Sequence, residues 1–166
     1  IYNIGLILSS YSLPLAISKL LAGYEYKGER ENSRRVLVCG GVLGAVAGGL
    51  MTAVLLAGAE KIAEGIFKSP GSALPLRVMA PTILVFSLMG VLRGYFQGHG
   101  NMVPTSVSQI VEQLVHAAVS IWASFDFLRR FAGKENPASY GAAGGTLGTF
   151  AGAAAAFVLL AVLTAK

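Results

Sequence analysis

Charged side chains are scarce in this chain. Of its 166 residues, 13% are Asp, Glu, Lys or Arg, against roughly 25% in soluble domains. With 54% of residues apolar and a mean hydropathy of +0.65, that shortage excludes an ordinary soluble globule. It also excludes a disordered chain, which would be polar and charged; the 21 glycines sit inside apolar runs. A single cysteine, Cys39, excludes a disulfide framework, and its apolar neighbours read it as a small buried hydrophobe. Enzymatic signatures are missing too. There is no Walker-type glycine loop, no paired His and Cys spacing for a metal and no Ser/His/Asp set, and Gly98-His99-Gly100-Asn101 lacks the third glycine of a dinucleotide fingerprint. Neither an enzyme nor a cofactor is expected. The net charge of +5 has no basic–aromatic patterning, so no nucleic-acid partner is expected.

What the sequence has is long apolar runs. A bilayer core of ~30 Å needs ~20 helical residues. Five stretches are read as spans: 1–22, 36–59, 78–96, 103–125 and 141–165. The second and fifth carry no charge, the fourth holds only Glu112, the first holds Pro14 and Lys19, and the third holds Pro81 and Arg93. The first twenty residues lack the basic leader and cleavage site of a signal peptide, so they too are read as structure. Because the chain begins at Ile1 and is apolar at once, a further helix upstream is expected. Strands are disfavoured, since the runs do not alternate with period two. The expected fold is therefore all-α, a polytopic transmembrane bundle.

Two spans carry glycine at every fourth position: Gly40, Gly44 and Gly48, then Gly144, Gly148 and Gly152. Such ladders put small residues on one face and let helix backbones approach, here within a bundle in preference to a dimer face. The breaks are read as Gly23 to Arg35, Glu60 to Arg77, Gln97 to Met102 and Asp126 to Tyr140. The first is the most charged, with Lys27, Arg30, Arg34 and Arg35 among its bases, which places it on the cytoplasmic side. Counted over the whole chain, the basic residues divide almost evenly, seven on that side and six on the other, so the concentration in this break alone carries the orientation. Tyr24, Tyr26, Tyr95 and Phe96 on one side, and Phe67, Phe131 and Tyr140 on the other, stand where interfacial aromatics do.

Polar residues inside hydrocarbon are the functional signal, because each is costly there unless it faces a bundle interior or a wet cavity. Asn101, Thr105, Ser108, Gln109, Glu112, Gln113, His116 and Ser120 recur at helical spacing and share one face of the fourth span. Val103, Val107, Ile110, Val111, Leu114 and Val115 occupy the other side. Amides, one acid and one histidine suit the wall of a water-filled cleft better than a helix lying on the membrane surface, which would be rich in Lys and Arg. A hydrogen-bonded seam between helices is the alternative. Glu112 and His116 are i,i+4 neighbours, so the carboxylate either holds the imidazole or binds a cation. Lys19 and Arg93 lie about a turn from their span ends, where they either snorkel or face a cleft and attract phosphate.

The segments Leu92-Arg93-Gly94-Tyr95-Phe96-Gln97-Gly98, Asn101-Met102-Val103-Pro104-Thr105 and Ser108-Gln109-Ile110-Val111-Glu112-Gln113 carry a resemblance. So do Leu13-Pro14-Leu15-Ala16-Ile17-Ser18-Lys19-Leu20 and Ser33-Arg34-Arg35. Together they resemble the flippases of the multidrug/oligosaccharidyl-lipid/polysaccharide superfamily, in the branch of the stage V sporulation protein B and MviN-type lipid II flippases. The likeness covers nearly the whole chain. It implies that residues 1–166 are spans two to six of the amino-terminal lobe of a two-lobe, multi-pass protein of the cytoplasmic membrane. It implies alternating access to a central cleft whose cations meet the diphosphate of an undecaprenyl-linked sugar precursor.

Lys19 and Arg93 are the cations that fall in matching motifs; Asn101, Gln109, Glu112, Gln113 and His116 offer hydrogen bonds or ion coordination. His116 departs from the family, which usually has arginine there. Expected partners are that precursor, membrane lipid and the remaining helices of a longer transporter. Two other readings stand beside this one: a cation-coupled multidrug antiporter using Glu112, and a membrane scaffold for cell-wall enzymes.

Overall fold

A computed structural model describes residues 13–65, 68, 70–133 and 136–164. They form five helices: α1 (Leu13–Tyr26), α2 (Arg30–Gly65), α3 (Ala73–Gly98), α4 (Val103–Arg130) and α5 (Pro137–Thr164), with a 3-10 turn at Pro70–Ser72 before α3. No strand occurs among the described residues, and the fold is all-α as the runs imply.

The helices overrun the expected spans. At ~1.5 Å per residue the 36 residues of α2 reach about 54 Å, well beyond a hydrocarbon core of ~30 Å. Its first turns hold Glu31, Arg34 and Arg35, and its last hold Glu60, Lys61 and Glu64. Most of what the charge pattern marks as breaks is therefore helix; the connection between α1 and α2 is only residues 27–29. Charge ends a span without ending a helix, because Glu, Lys and Arg are good helix formers. The first expected span is described only from Leu13 onward, and Phe67 also lies outside the described residues.

α3 is the centre. It packs against α1, α2 and α5, whereas α4 lies along α5 and meets α3 only locally. Three small apolar clusters are strung along α3: Phe86 and Met89 with Ala153, Ala156 and Leu160 of α5; Val91 with Ile17 and Leu21 of α1; and Ala80 and Ile83 with Leu55 of α2.

Between them, glycines bring the backbones close. A Cβ on Gly48 would lie 3.1 Å from Leu84 Cα, one on Gly94 2.8 Å from the Pro14 carbonyl oxygen, and one on Gly152 2.6 Å from the Glu112 carbonyl oxygen. Both ladders thus pack inside the bundle, α2 on α3 and α5 on α4, as their spacing implies. Hydroxyls add polar glue across the same seams: Ser87 donates to the Gly44 carbonyl at 2.8 Å, and Ser120 donates to the Gly145 carbonyl at 2.8 Å. Thr52 donates to the Ala80 carbonyl at 3.1 Å, next to Pro81, where α3 lacks one backbone donor.

The outer surface is apolar. Val38, Val42, Val46 and Leu50 of α2, and Ile110, Leu114, Ile121 and Phe125 of α4, are all exposed. Cys39 is exposed with them and is not the buried residue its neighbours imply. Where the surrounding medium is hydrocarbon, an apolar side chain gains nothing by turning inward, so hydropathy no longer reports burial. α2, α3 and α5 are each long and apolar enough to cross a membrane; α4 is as long as α5, at 28 residues, but carries the polar face.

Candidate functional site

The polar face of α4 divides in two. Its inner half is engaged by neighbouring helices. Arg93, near the end of α3, is buried and reaches α4 with two groups: Nη2 donates to Glu112 Oε2 at 2.7 Å, and Nε donates to Ser108 Oγ at 3.2 Å. The Ser108 hydroxyl in turn donates a hydrogen bond to the Thr105 carbonyl at 2.7 Å. The Arg93 and Glu112 side chains are only 10% and 12% exposed, so the pair is shielded from the screening that weakens surface salt bridges. One turn on, His116 Nε2 lies 3.3 Å from Thr149 Oγ1 of α5. Gly152 packs directly behind this turn, which is how α5 comes near enough for that contact.

The outer half is open. Gln109 and Gln113 are exposed, one turn apart, on the flank of α4 between the ion-paired face and the apolar face of Ile110 and Leu114. Asn101 is also exposed; its Oδ1 accepts the N–H of Val103 at 3.2 Å, so it satisfies one of the free donors at the start of α4. The turn leading there uses Gly100 at φ +73, a conformation glycine adopts without strain.

Several local readings of the sequence change here. Glu112 does not hold His116: each is turned to a different helix, the carboxylate to Arg93 of α3 and the imidazole to Thr149 of α5. Arg93 does not snorkel, because its charge is met inside the bundle. Lys19 is exposed on α1, in a shallow groove with Leu20, Gly23, Tyr24 and Lys27, and the structure does not bring it to Arg93. The hydrogen-bonded seam is present on α4 at Ser108, Glu112, His116 and Ser120, while Gln109 and Gln113 lie exposed on its flank.

Sequence reasoning did not single out Thr149 or the Arg93–Glu112 pairing, since partners 19 positions apart leave no local trace. It also passed over a second polar cluster at the end where α1, α2, α3 and α5 meet. There Glu25, Ser33, Arg34, Tyr95, His99 and Thr164, with Leu37, line a groove of about 440 Å³.

A bundle whose long helices are apolar outside, glycine-packed between and crossed by a buried ion pair is a polytopic membrane protein. Residues 1–165 match the polysaccharide biosynthesis protein family, and the chain belongs to it. It is 32% identical over 155 residues to stage V sporulation protein B of Bacillus subtilis, covering 93% of this chain and 29% of that protein. It is 34% identical over 140 residues to the lipid II flippase MurJ of the same organism, covering 80% of this chain and 26% of that protein. An uncharacterized membrane protein, YabM, is 32% identical over 147 residues, 89% of this chain and 27% of that protein. The chain thus spans less than a third of the length of these relatives. No solved structure matches it.

Proposed function

We propose that this chain is part of the amino-terminal lobe of a flippase that carries a lipid-linked peptidoglycan or polysaccharide precursor across the cytoplasmic membrane. One observation carries the reading: α4 holds exposed Gln109 and Gln113 beside a buried Arg93–Glu112 pair, in a bundle that exposes apolar side chains along α2 and along the other side of α4. Amides on an open flank donate and accept hydrogen bonds in equal measure, which suits sugar hydroxyls and phosphate oxygens. Lys19 supplies an exposed cation for a diphosphate. Arg93 supplies one only where the anion replaces Glu112, so it is the more selective of the two. Similarity to a lipid II flippase supports the substrate class.

The antiporter reading is weakened by the same pair. An acid serving as the coupling site must be released on each cycle, and Glu112 is held by Arg93. Reconstituted in vesicles, the whole transporter should move fluorescent lipid II and leave a cationic dye untouched. Lys19→Gln should slow that movement at least about tenfold with stability unchanged, since exposed substitutions usually shift it by no more than ~0.5 kcal/mol. Dye export without lipid movement would overturn the reading. Undiminished lipid movement in Lys19→Gln would remove Lys19 from it.

A further inference from the structure

The groove at the end of the bundle contains a histidine in an unusual bonding position. His99 is the C-cap of α3. Its Nδ1 lies 2.8 Å from the Tyr95 carbonyl oxygen, and its Nε2 lies 3.2 Å from Glu25 Oε1 of α1. Both facing atoms are acceptors. A neutral imidazole carries one N–H and one bare lone pair, so it satisfies one of these contacts and turns its lone pair against an oxygen at the other. Only the imidazolium donates to both. The end of α3 adds to this preference, because the free carbonyls of a helix C-terminus favour a positive charge. Tyr95, whose ring centroid is 4.4 Å from that of His99, fixes the plane of the imidazole.

We propose that His99 is a pH-operated latch that ties the α1–α2 turn to the end of α3. Glu25 Oε1 also accepts the Ser33 hydroxyl of α2 at 3.2 Å, so the one carboxylate gathers three helices. The ionisable groups facing His99 are Glu25 from α1, Arg34 from α2 and Tyr95 from α3, while α5 contributes the uncharged Thr164. Arg34 repels an imidazolium there, and Glu25, in direct contact, attracts it. The His99 and Glu25 side chains are 30% and 33% exposed, which leaves protons free to exchange with water. The latch is closed when the imidazole is charged and open when it is neutral, because only the charged ring donates to both acceptors. What it holds is the helix carrying Lys19, whose other contacts with α3 include those of Gly94 and Gly98 with Pro14, Ile17 and Leu21 and the packing of Val91 on Ile17 and Leu21.

The proposal does not depend on the transported substrate. It is tested on the full chain in lipid nanodiscs with Cys39→Ser as background. Spin labels go at Tyr26→Cys and Met102→Cys, both exposed positions at this end. A single narrow distance distribution is expected at about pH 5, broadening at about pH 8. His99→Gln should give the broad distribution throughout, and His99→Lys, which keeps the charge, the narrow one. An unchanged distribution across the range in the unmodified site, or a pH response that survives in His99→Gln, overturns the latch.

Discussion

Arg93 and Glu112 provide the sharpest energetic test of the bundle. Replacing Arg93 by Met removes the cation and leaves the Glu112 carboxylate buried against α3 with no counter-charge. For pairs shielded as these are, stripping one partner costs about 3–5 kcal/mol, two to three and a half decades in the unfolding constant. Glu112→Gln keeps an acceptor for the Arg93 guanidinium, but the buried cation loses its counter-charge, so this variant too should be destabilised, by up to about 3–5 kcal/mol. Replacing both, Arg93→Met with Glu112→Leu, removes the two desolvation penalties together and should return stability close to that of the unmodified chain. Equilibrium unfolding in mixed micelles, followed by proteolysis of the unfolded fraction, measures these three and the single Glu112→Leu that completes the cycle. If the double variant is as unstable as the sum of its singles, within the ~0.5 kcal/mol expected of independent sites, the pair is not coupled and the polar face of α4 is not anchored as described.

The glycine ladders predict a contrast within one helix. Gly148→Leu places its Cβ against the backbone of α4, 2.8 Å from the His116 carbonyl oxygen, and should push α4 off α5; Gly145→Ala meets only the Ser124 hydroxyl at 3.2 Å and should be tolerated. Thermal unfolding of the two should therefore separate clearly, and equal melting would refute the ladder as a packing surface. Cys39 predicts a reagent preference. With Val38 and Val42 beside it on the outward face of α2, it should react in membranes with a lipid-soluble maleimide and resist a sulfonated one, then react with both in detergent-free denaturant.

The helical class and the positions of the apolar runs were legible because hydrocarbon thickness imposes a length that composition alone reveals. The ladders at Gly40–Gly48 and Gly144–Gly152 were legible for a similar reason, since a four-residue period fixes a face. Ends were not. Glu31 and Arg35, or Asp126 and Arg130, look like loop residues in a hydropathy profile, but they form i,i+4 pairs on continuing helices. Cys39 was misplaced because burial and hydropathy part company in lipid. In the site, spacing recovered which α4 residues share a face but not which helix each addresses. Arg93 reaches Glu112 because α3 and α4 cross where one turn of each is polar, and no pattern within either helix encodes that crossing.

The two kinds of contact divide the bundle mechanically. α1 and α2 are held to α3 by interlocking shape: Gly94 and Gly98 against α1, and Gly44 and Gly48 against Ser87 and Leu84. Dispersion contacts of that sort fall away steeply with separation, so the packed middles of these helices stay with α3, while the α1–α2 turn is tied to the end of α3 through His99 and Glu25. α4 is different. Its long interface is with α5, and its polar connection to α3 runs through Arg93. Under the proposed function, an anion entering beside Gln109 and Gln113 would compete with Glu112 for Arg93, and by loosening that pair would act on the position of α4.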